Sequence, residues 1–299
     1  MDNLTTLRDY VRYCASQLLK KNVFSGHGTE NAFDEAYALV LHVLHLPFDM
    51  PEVYLGAHIT AEEQAQILAL LKRRVDERMP LPYLMGYARF AGLDFTVTQD
   101  VLIPRSPIAE LIESQFEPWL EVDKVKRILD LCTGSGCIGI ACAYAFSDAS
   151  IDITDISYPA LEVANKNIEN HGCDAQVSAI LSDLFDALAG RKYDLIVSNP
   201  PYVSETEAAA LPPEYHKEPP LGLLAGKAGL DVVQRILEQA RQYLTPHGVL
   251  VVEVGATADV LAETYPNVPF MWFDFEYGGE GVFLLTAEQL ENYAGEFKQ

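Results

Sequence analysis

The chain has 299 residues, and its 43 aspartates and glutamates against 21 lysines and arginines give a formal net charge of −22 at pH 7. Affinity for nucleic acids comes mainly from lysine and arginine at phosphates, so this composition argues against a sequence-independent DNA or RNA binder. Small or positively charged partners are expected instead. With 49% hydrophobic residues, the chain is also not expected to be disordered.

Three further classes are disfavoured by local sequence. The longest uncharged apolar stretch, residues 137–146, is about half of the roughly 20 residues that span a bilayer, so no membrane association is expected. The first residues lack a basic region followed by an apolar block, so no secretory signal is predicted. The five cysteines contain no Cys-x-x-Cys pair and favour free thiols in the cytoplasm, and the seven scattered histidines predict no metal site.

Residues 1–85 predict a small, all-helical N-terminal domain. Apolar residues recur there at helical spacing in three segments, namely Leu4, Leu7, Val11 and Leu18; Ala36, Leu39, Val40 and Val43; and Ile67, Leu68, Leu71 and Val75. Thr60 and Glu63 form a capping-box pattern at the start of the third segment. This domain carries a net charge of only −3, which leaves −19 for residues 86–299.

Residues 86–106 predict a β-hairpin connector, because apolar residues alternate around a glycine between Phe90 and Val97. In residues 107–299, strand-like segments alternate with helical ones. The predicted strands are 127–131, 150–154, 176–180, 195–198, 249–254 and 282–285, and the predicted helices are 139–146, 160–170 and 232–244. This alternation predicts an α/β domain with a mostly parallel sheet and helices on both faces.

A glycine-rich turn follows the first predicted strand. Gly134, Gly136 and Gly139 satisfy the G-x-G-x-x-G pattern, which lets a ligand approach the backbone at a helix N-terminus. Asp155 ends the second predicted strand, where a carboxylate can hold ribose hydroxyls. Asp183 follows the third predicted strand and is placed to bind an adenine amine. Two alternative interpretations are a packing turn for the glycines and a helix N-cap for Asp183. The glycine pattern also does not distinguish a dinucleotide cofactor from S-adenosylmethionine.

Asn199-Pro200-Pro201-Tyr202 follows the fourth predicted strand, and its two prolines restrict the turn. The side-chain carbonyl of Asn199 and the backbone carbonyl of Pro200 are two acceptors that can hold both hydrogens of one NH₂ group. The nitrogen lone pair can then face a methyl sulfonium, so positioning alone would support methyl transfer. Tyr202 would stack on the target amide or face the sulfur cation. A plain turn is the alternative.

The sequence resembles the HemK family of class I S-adenosylmethionine-dependent methyltransferases over nearly its whole length. The shared segments are 90–93, 102–105, 133–138 and 199–202, together with Asp155 and Asp183. The resemblance implies a Rossmann-like sheet and a helical N-terminal domain for substrate recognition. It also implies methyl transfer from S-adenosyl-L-methionine to the side-chain amide of a protein glutamine, with N5-methylglutamine and S-adenosyl-L-homocysteine as products.

The family has two main bacterial branches. One modifies release factors, and the PrmB branch modifies large-subunit ribosomal protein three. Glu110 follows Arg105 one residue later than is usual in the release-factor branch, which favours PrmB. Further segments that resemble the PrmB branch are 25–31, 101–108, 214–219 and 277–283.

The resemblance also implies residue roles. Phe90 and Arg105 would border the methionine end of the cofactor, although core packing and a surface ion pair are their alternatives. The predicted cofactor-binding residues are Phe90, Arg105, Thr133, Gly134, Ser135, Gly136, Cys137, Asp155, Ile156, Asp183, Leu184 and Asn199. The predicted catalytic residues are Asn199, Pro200, Pro201 and Tyr202.

The charge of the larger domain bears on the substrate. A basic ribosomal protein would be attracted to this acidic domain. A methyltransferase acting on nucleobase amino groups would instead need a flipped or unpaired base. Glu205, Glu207, Glu214 and Glu218 are candidates for contacting that protein, and an ordinary solvated loop is the alternative for each. A release-factor methyltransferase, a nucleic-acid amino-methyltransferase, a dinucleotide-dependent oxidoreductase and a non-catalytic chaperone of a basic protein stay open.

Overall fold

Two compact units divide the chain in the computed structural model, which describes residues 4–298. The first unit comprises residues 4–88 and 211–217, and the second comprises residues 89–210 and 218–298. The division falls shortly after the boundary predicted at residue 85. No sequence pattern predicted that residues 211–217 belong to the N-terminal unit.

The N-terminal unit is built from four helices: α1 (Leu7–Lys20), α2 (Ala32–Val43), α3 (Ala61–Asp76) and α4 (Leu81–Met85). The first three confirm the predicted amphipathic helices. The predicted capping box is present, because the N–H of Glu63 donates to the Thr60 hydroxyl and the N–H of Thr60 donates to the Glu63 carboxylate. The apolar stripes of the helices meet in one core, which includes Leu7, Leu39 and Ile67.

The predicted hairpin is present as β1 (Tyr87–Phe90) and β2 (Leu93–Thr96). The second unit contains a seven-stranded sheet in the order β5-β4-β3-β6-β7-β9-β8. Its strands are β3 (Arg127–Leu131), β4 (Ser150–Asp155), β5 (Val177–Leu181), β6 (Tyr193–Ser198), β7 (Leu244–Glu253), β8 (Met271–Trp272) and β9 (Val282–Thr286). Strands β3 to β7 are parallel, and β9 is antiparallel to both of its neighbours.

Helices cover both faces of this sheet, as predicted. They are α5 (Ile108–Glu113), α6 (Cys137–Ala145), α7 (Tyr158–His171), α8 (Glu205–Ala208), α9 (Asp231–Gln239), α10 (Ala258–Thr264) and α11 (Ala287–Asn292). Successive residues of a strand point to opposite faces, so Ile128 packs in a core with Ile138 of α6. Its neighbour Leu129 packs in a second core with Val233 of α9. These two cores make the sheet the buried middle layer of an α/β unit.

The carboxyl ends of the parallel strands lie along one edge of the sheet. Asp155 ends β4, Asn199 follows β6 directly, and Glu253 ends β7. Open α/β sheets bind ligands at this edge, so Asp155 and Asn199 lie where a ligand site is expected. Within residues 4–298, none of the helices has the length and apolar character that a membrane crossing requires.

Candidate active site

The glycine-rich turn joins β3 to α6. Gly134 (φ +54°) and Gly136 (φ +82°) adopt left-handed backbone conformations that disfavour other residues. Gly139 is needed for a different reason: a Cβ atom there would overlap the Ile153 side chain of β4 and would lie 3.2 Å from Oδ2 of Asp130. The three glycines therefore shape the turn and allow α6 to pack closely against the sheet.

Replacing Gly139 by alanine is expected to destabilise the protein by about 1–3 kcal/mol, because the added methyl group overpacks a buried contact. Urea-induced unfolding measures this free energy. Gly56→Ala is the matched control, because a Cβ atom at Gly56 meets no atom within 4 Å. Equal unfolding free energies for the two variants would contradict the close-packing role of Gly139.

Two carboxylates, those of Asp155 and Asp130, accept hydrogen bonds from the glycine-rich turn and its flanking residues. Asp155 accepts hydrogen bonds from the N–H groups of Gly134 (2.9 Å) and Ser157 (2.8 Å), and burial raises the pKa of Asp155. Asp130 is fully buried, and its Oδ2 accepts from the Thr133 hydroxyl (2.5 Å) and from the N–H of Gly139 (2.9 Å). Burial raises the pKa of Asp130 to about 7. The supporting role of Asp130 was not predicted.

Asp183 does not cap a helix. Its Oδ1 lies 2.9 Å from the guanidinium of Arg235 in α9, and both side chains are partly exposed. No helix begins at Asp183 within the part of the chain that the structure describes, so the N-cap interpretation is wrong. Leu184 is buried and has a left-handed backbone (φ +47°). Arg235 was missed because its partner lies on a distant segment of the sequence.

Asn199 presents an unused acceptor. Its Oδ1 is buried and has no hydrogen-bond partner among residues 4–298. Buried polar atoms are nearly always paired, so an unpaired one next to a cavity indicates a place for a ligand donor. Thr154 lines the same cavity, and its hydroxyl is another buried polar group without a partner in the described chain.

Arg105 and Phe90 have different surroundings. Both terminal nitrogens of Arg105 donate to the buried Glu218 carboxylate, at 2.6 and 2.8 Å, so the arginine is held beside the cavity. Phe90 is 4% exposed and packs edge-on against Phe95, with ring centroids 6.3 Å apart. The structure therefore gives Phe90 a packing role, and its contact with a cofactor stays a prediction.

Two of the four glutamates predicted to contact a basic substrate are buried, and for them that prediction is wrong. Glu214 is 0% exposed and is ion-paired with Arg74 and Arg78, and Glu218 is 3% exposed and is bound to Arg105. Their charges are neutralised inside the protein. Glu205 and Glu207 are exposed, but Glu207 also completes the capping box of α8.

A cavity of about 230 Å³ lies at this edge of the sheet. The predicted site residues that line it are Arg105, Thr133, Gly134, Ser135, Cys137, Asp155, Ile156, Asp183, Leu184, Asn199 and Pro201. Phe90, Gly136, Pro200 and Tyr202 do not line it. Lining residues that were not predicted include Leu102, Thr154, Ser182, Leu221 and Arg235. Eleven of the 15 predicted site residues therefore line the cavity.

Two domain families match parts of this chain. Residues 115–211 match the methyltransferase small domain, and residues 17–86 match the PrmC N-terminal domain. The catalytic domain of human Mettl16 in complex with a 3′UTR hairpin is 17% identical, with a TM-score of 0.51 over 77% of this chain and 84% of that one. That likeness concerns the fold alone. The fold and the site define a class I methyltransferase.

Closer relatives specify the family. The ribosomal protein uL3 glutamine methyltransferase of Francisella tularensis is 48% identical over 300 residues, which are 100% of this chain and 96% of the relative. The enzyme of the same name from Neisseria gonorrhoeae is 48% identical over 288 residues, covering 96% of each chain. The chain belongs to the family of ribosomal protein uL3 glutamine methyltransferases. The predicted HemK-family membership and branch are thereby confirmed.

Proposed function

We propose that this chain transfers a methyl group from S-adenosyl-L-methionine to the side-chain amide nitrogen of a glutamine in ribosomal protein uL3, giving N5-methylglutamine. The observation that carries the proposal is the unpaired, buried Oδ1 of Asn199 at the wall of the cavity. An amide NH₂ group is the donor that fits this acceptor, and the relatives name glutamine as the methylated residue.

The cavity residues fit S-adenosyl-L-methionine, because the Asp155 and Asp183 carboxylates and the unpaired Thr154 hydroxyl are polar groups of cavity-lining residues at the end of the sheet. Asp155 would hold the ribose, and Asp183 and Leu184 would hold the adenine. The methionine end and the adjoining ribose would lie among Phe90, Arg105, Thr133, Gly134, Ser135, Gly136, Cys137 and Ile156. When bound, the cofactor supplies a methyl group that is already activated on a sulfonium.

The chain contributes positioning to the transfer. Asn199 Oδ1 would accept one amide hydrogen of the glutamine, and the backbone carbonyl of Pro200 would accept the other. Held in this way, the nitrogen lone pair would be free to face the activated methyl group that the bound cofactor would supply. The nitrogen then loses one proton, which has become acidic, so the step needs no side-chain base before transfer.

The charge of the second unit supports a basic protein substrate. Residues 86–299 carry a net charge of −19, and opposite charges accelerate the encounter of two proteins. The exposed Glu205 and Glu207 follow the Asn199–Tyr202 turn and remain candidates for this contact. We also propose that the N-terminal helices recognise the substrate and that the protein is cytoplasmic.

Incubation with labelled S-adenosyl-L-methionine and purified uL3, release factors or oligonucleotides tests the proposal. We expect label on uL3 alone, and peptide mapping should place it on one glutamine side chain. Label on release factors would place the protein in the release-factor branch of the family. Transfer to oligonucleotides would make the protein a nucleic-acid methyltransferase, and both results would overturn the proposal.

A further inference from the structure

A buried glutamate, Glu253, lies next to the Asn199–Tyr202 turn and is not among the predicted site residues. Ser198 of β6 pairs with Val252 of β7, so Asn199 and Glu253 are the next residues along two adjacent strands. Glu253 is 5% exposed. Burying a carboxylate is unfavourable unless its oxygens are hydrogen-bonded, so a buried glutamate at this position needs an explanation.

Both oxygens of Glu253 accept hydrogen bonds from hydroxyl groups. Oε1 accepts from the Tyr202 hydroxyl at 2.9 Å, and Oε2 accepts from the Ser106 hydroxyl at 2.5 Å. Ser106 is adjacent to Arg105, which lines the cavity. One carboxylate therefore connects the Asn199–Tyr202 turn with the segment that carries Arg105.

The rest of Tyr202 is also confined. A Cβ atom at Gly255 would lie 2.6 and 2.8 Å from Cε2 and Cζ of the Tyr202 ring, and one at Gly229 would overlap the Tyr202 carbonyl oxygen. Both glycines have positive φ angles, +48° and +75°. The hydroxyl, the ring and the backbone of Tyr202 are thus each in close contact with neighbouring residues.

We propose that Glu253 is a positioning residue for methyl transfer: through the hydroxyl of Tyr202 it fixes the turn that presents Asn199 to the substrate amide. Glu253 does not line the cavity, and both of its oxygens are engaged as acceptors, so it acts through Tyr202 and Ser106. The inference rests on the proposed function, because it assigns a support to the acceptor on which that function depends.

A double-mutant cycle tests this assignment, with the variants Glu253→Leu, Glu253→Gln and Tyr202→Phe and the combination of Glu253→Leu with Tyr202→Phe. Glu253→Leu is expected to lower kcat by about 10-fold to 10²-fold, because small displacements of positioned groups cost this much. Glu253→Gln keeps an acceptor and should lose less. Tyr202→Phe should have no further effect in the Glu253→Leu background, because the two residues act as one unit. The Kd of the cofactor, measured by calorimetry, should change much less than kcat, because Glu253 does not line the cavity.

Tyr193→Phe is the matched control. The Tyr193 hydroxyl also donates to a carboxylate, that of Asp152 at 2.7 Å, but Tyr193 begins β6 whereas Asn199 follows its end. Loss of the Tyr193 hydroxyl should affect the midpoint of unfolding and leave kcat unchanged. If Glu253→Leu does not fold, the same cycle with Glu253→Gln provides the comparison.

Three results would overturn the proposal: an unchanged kcat for Glu253→Leu, additive effects in the cycle, or equal losses for Glu253→Gln and Glu253→Leu. Failure of the proposed function is a separate result, because it appears in the unmodified protein as label on an acceptor other than uL3 glutamine. The cycle is then measured on that acceptor.

Discussion

Asn199→Ala is expected to lower kcat for methyl transfer by about 10²–10³-fold, the loss found when one positioned hydrogen-bonding group is removed from an active site. The alanine leaves one amide hydrogen of the glutamine unpaired, so the nitrogen lone pair is no longer held toward the methyl group. Steady-state kinetics with uL3 measure the effect. Calorimetry should show a much smaller change in the Kd of S-adenosyl-L-methionine, because most of the cavity wall is intact.

Asn267→Ala is the control for this substitution. Asn267 is exposed, and its amide contacts Glu296 far from the cavity residues in the sequence. Its kcat should equal that of the unmodified protein. Activity of Asn199→Ala at the level of this control would contradict the role of the Asn199 carboxamide and, with it, the proposed mechanism.

Arg74→Met is expected to lower the free energy of unfolding by about 3–5 kcal/mol, because it leaves a buried charge without its partner. Arg74 is 1% exposed and is ion-paired with Glu35 and Glu214, which are 2% and 0% exposed. It also donates to the carbonyl of Phe24 at 2.7 Å. Urea-induced unfolding of the full chain measures the loss.

The neighbouring residue supplies a matched control. Arg73 is 54% exposed and pairs with Glu77 one helical turn away, and such surface pairs contribute about 0–1 kcal/mol. Arg73→Met should therefore be nearly neutral. Similar unfolding free energies for the two methionine variants would show that the buried ion pairs do not hold the N-terminal unit together.

The stability of this cluster is expected to depend on pH through Glu214. Burial alone would raise the pKa of Glu214, but hydrogen bonds from the N–H groups of Glu214 and Phe24 and the charges of Arg78 and Arg74 outweigh it and hold the pKa below its ordinary value. A carboxylate with a lowered pKa stabilises the folded state above the unfolded-state pKa. That stabilisation is lost as the pH falls through the folded-state pKa.

Local patterns were sufficient for most of the fold. β3 occupies the predicted residues 127–131, and the capping box at Thr60 begins α3 as expected. Apolar spacing and caps act over a few residues, so they can be identified in a single sequence. β8 was not predicted, because a strand of two exposed residues has no periodicity to detect.

Site residues could be predicted where a short sequence motif contains the groups that bind or react. Asn199 and Gly134 belong to short motifs that a sheet edge brings together. The contacts of Glu214 with Arg74 and of Glu253 with Tyr202 join distant segments, and a charged residue in a sequence does not disclose whether it is exposed or buried. The two buried glutamates were therefore mistaken for a substrate-binding surface.

The intact mass of uL3, compared between cells with and without this chain, tests the central claim most directly. We expect uL3 from cells lacking the chain to be one methyl group lighter, and peptide mapping should assign the difference to a glutamine. Restoring the gene should return the methyl group, whereas the Asn199→Ala variant should not. An unchanged uL3 mass, or full methylation by the Asn199→Ala variant, would contradict the account.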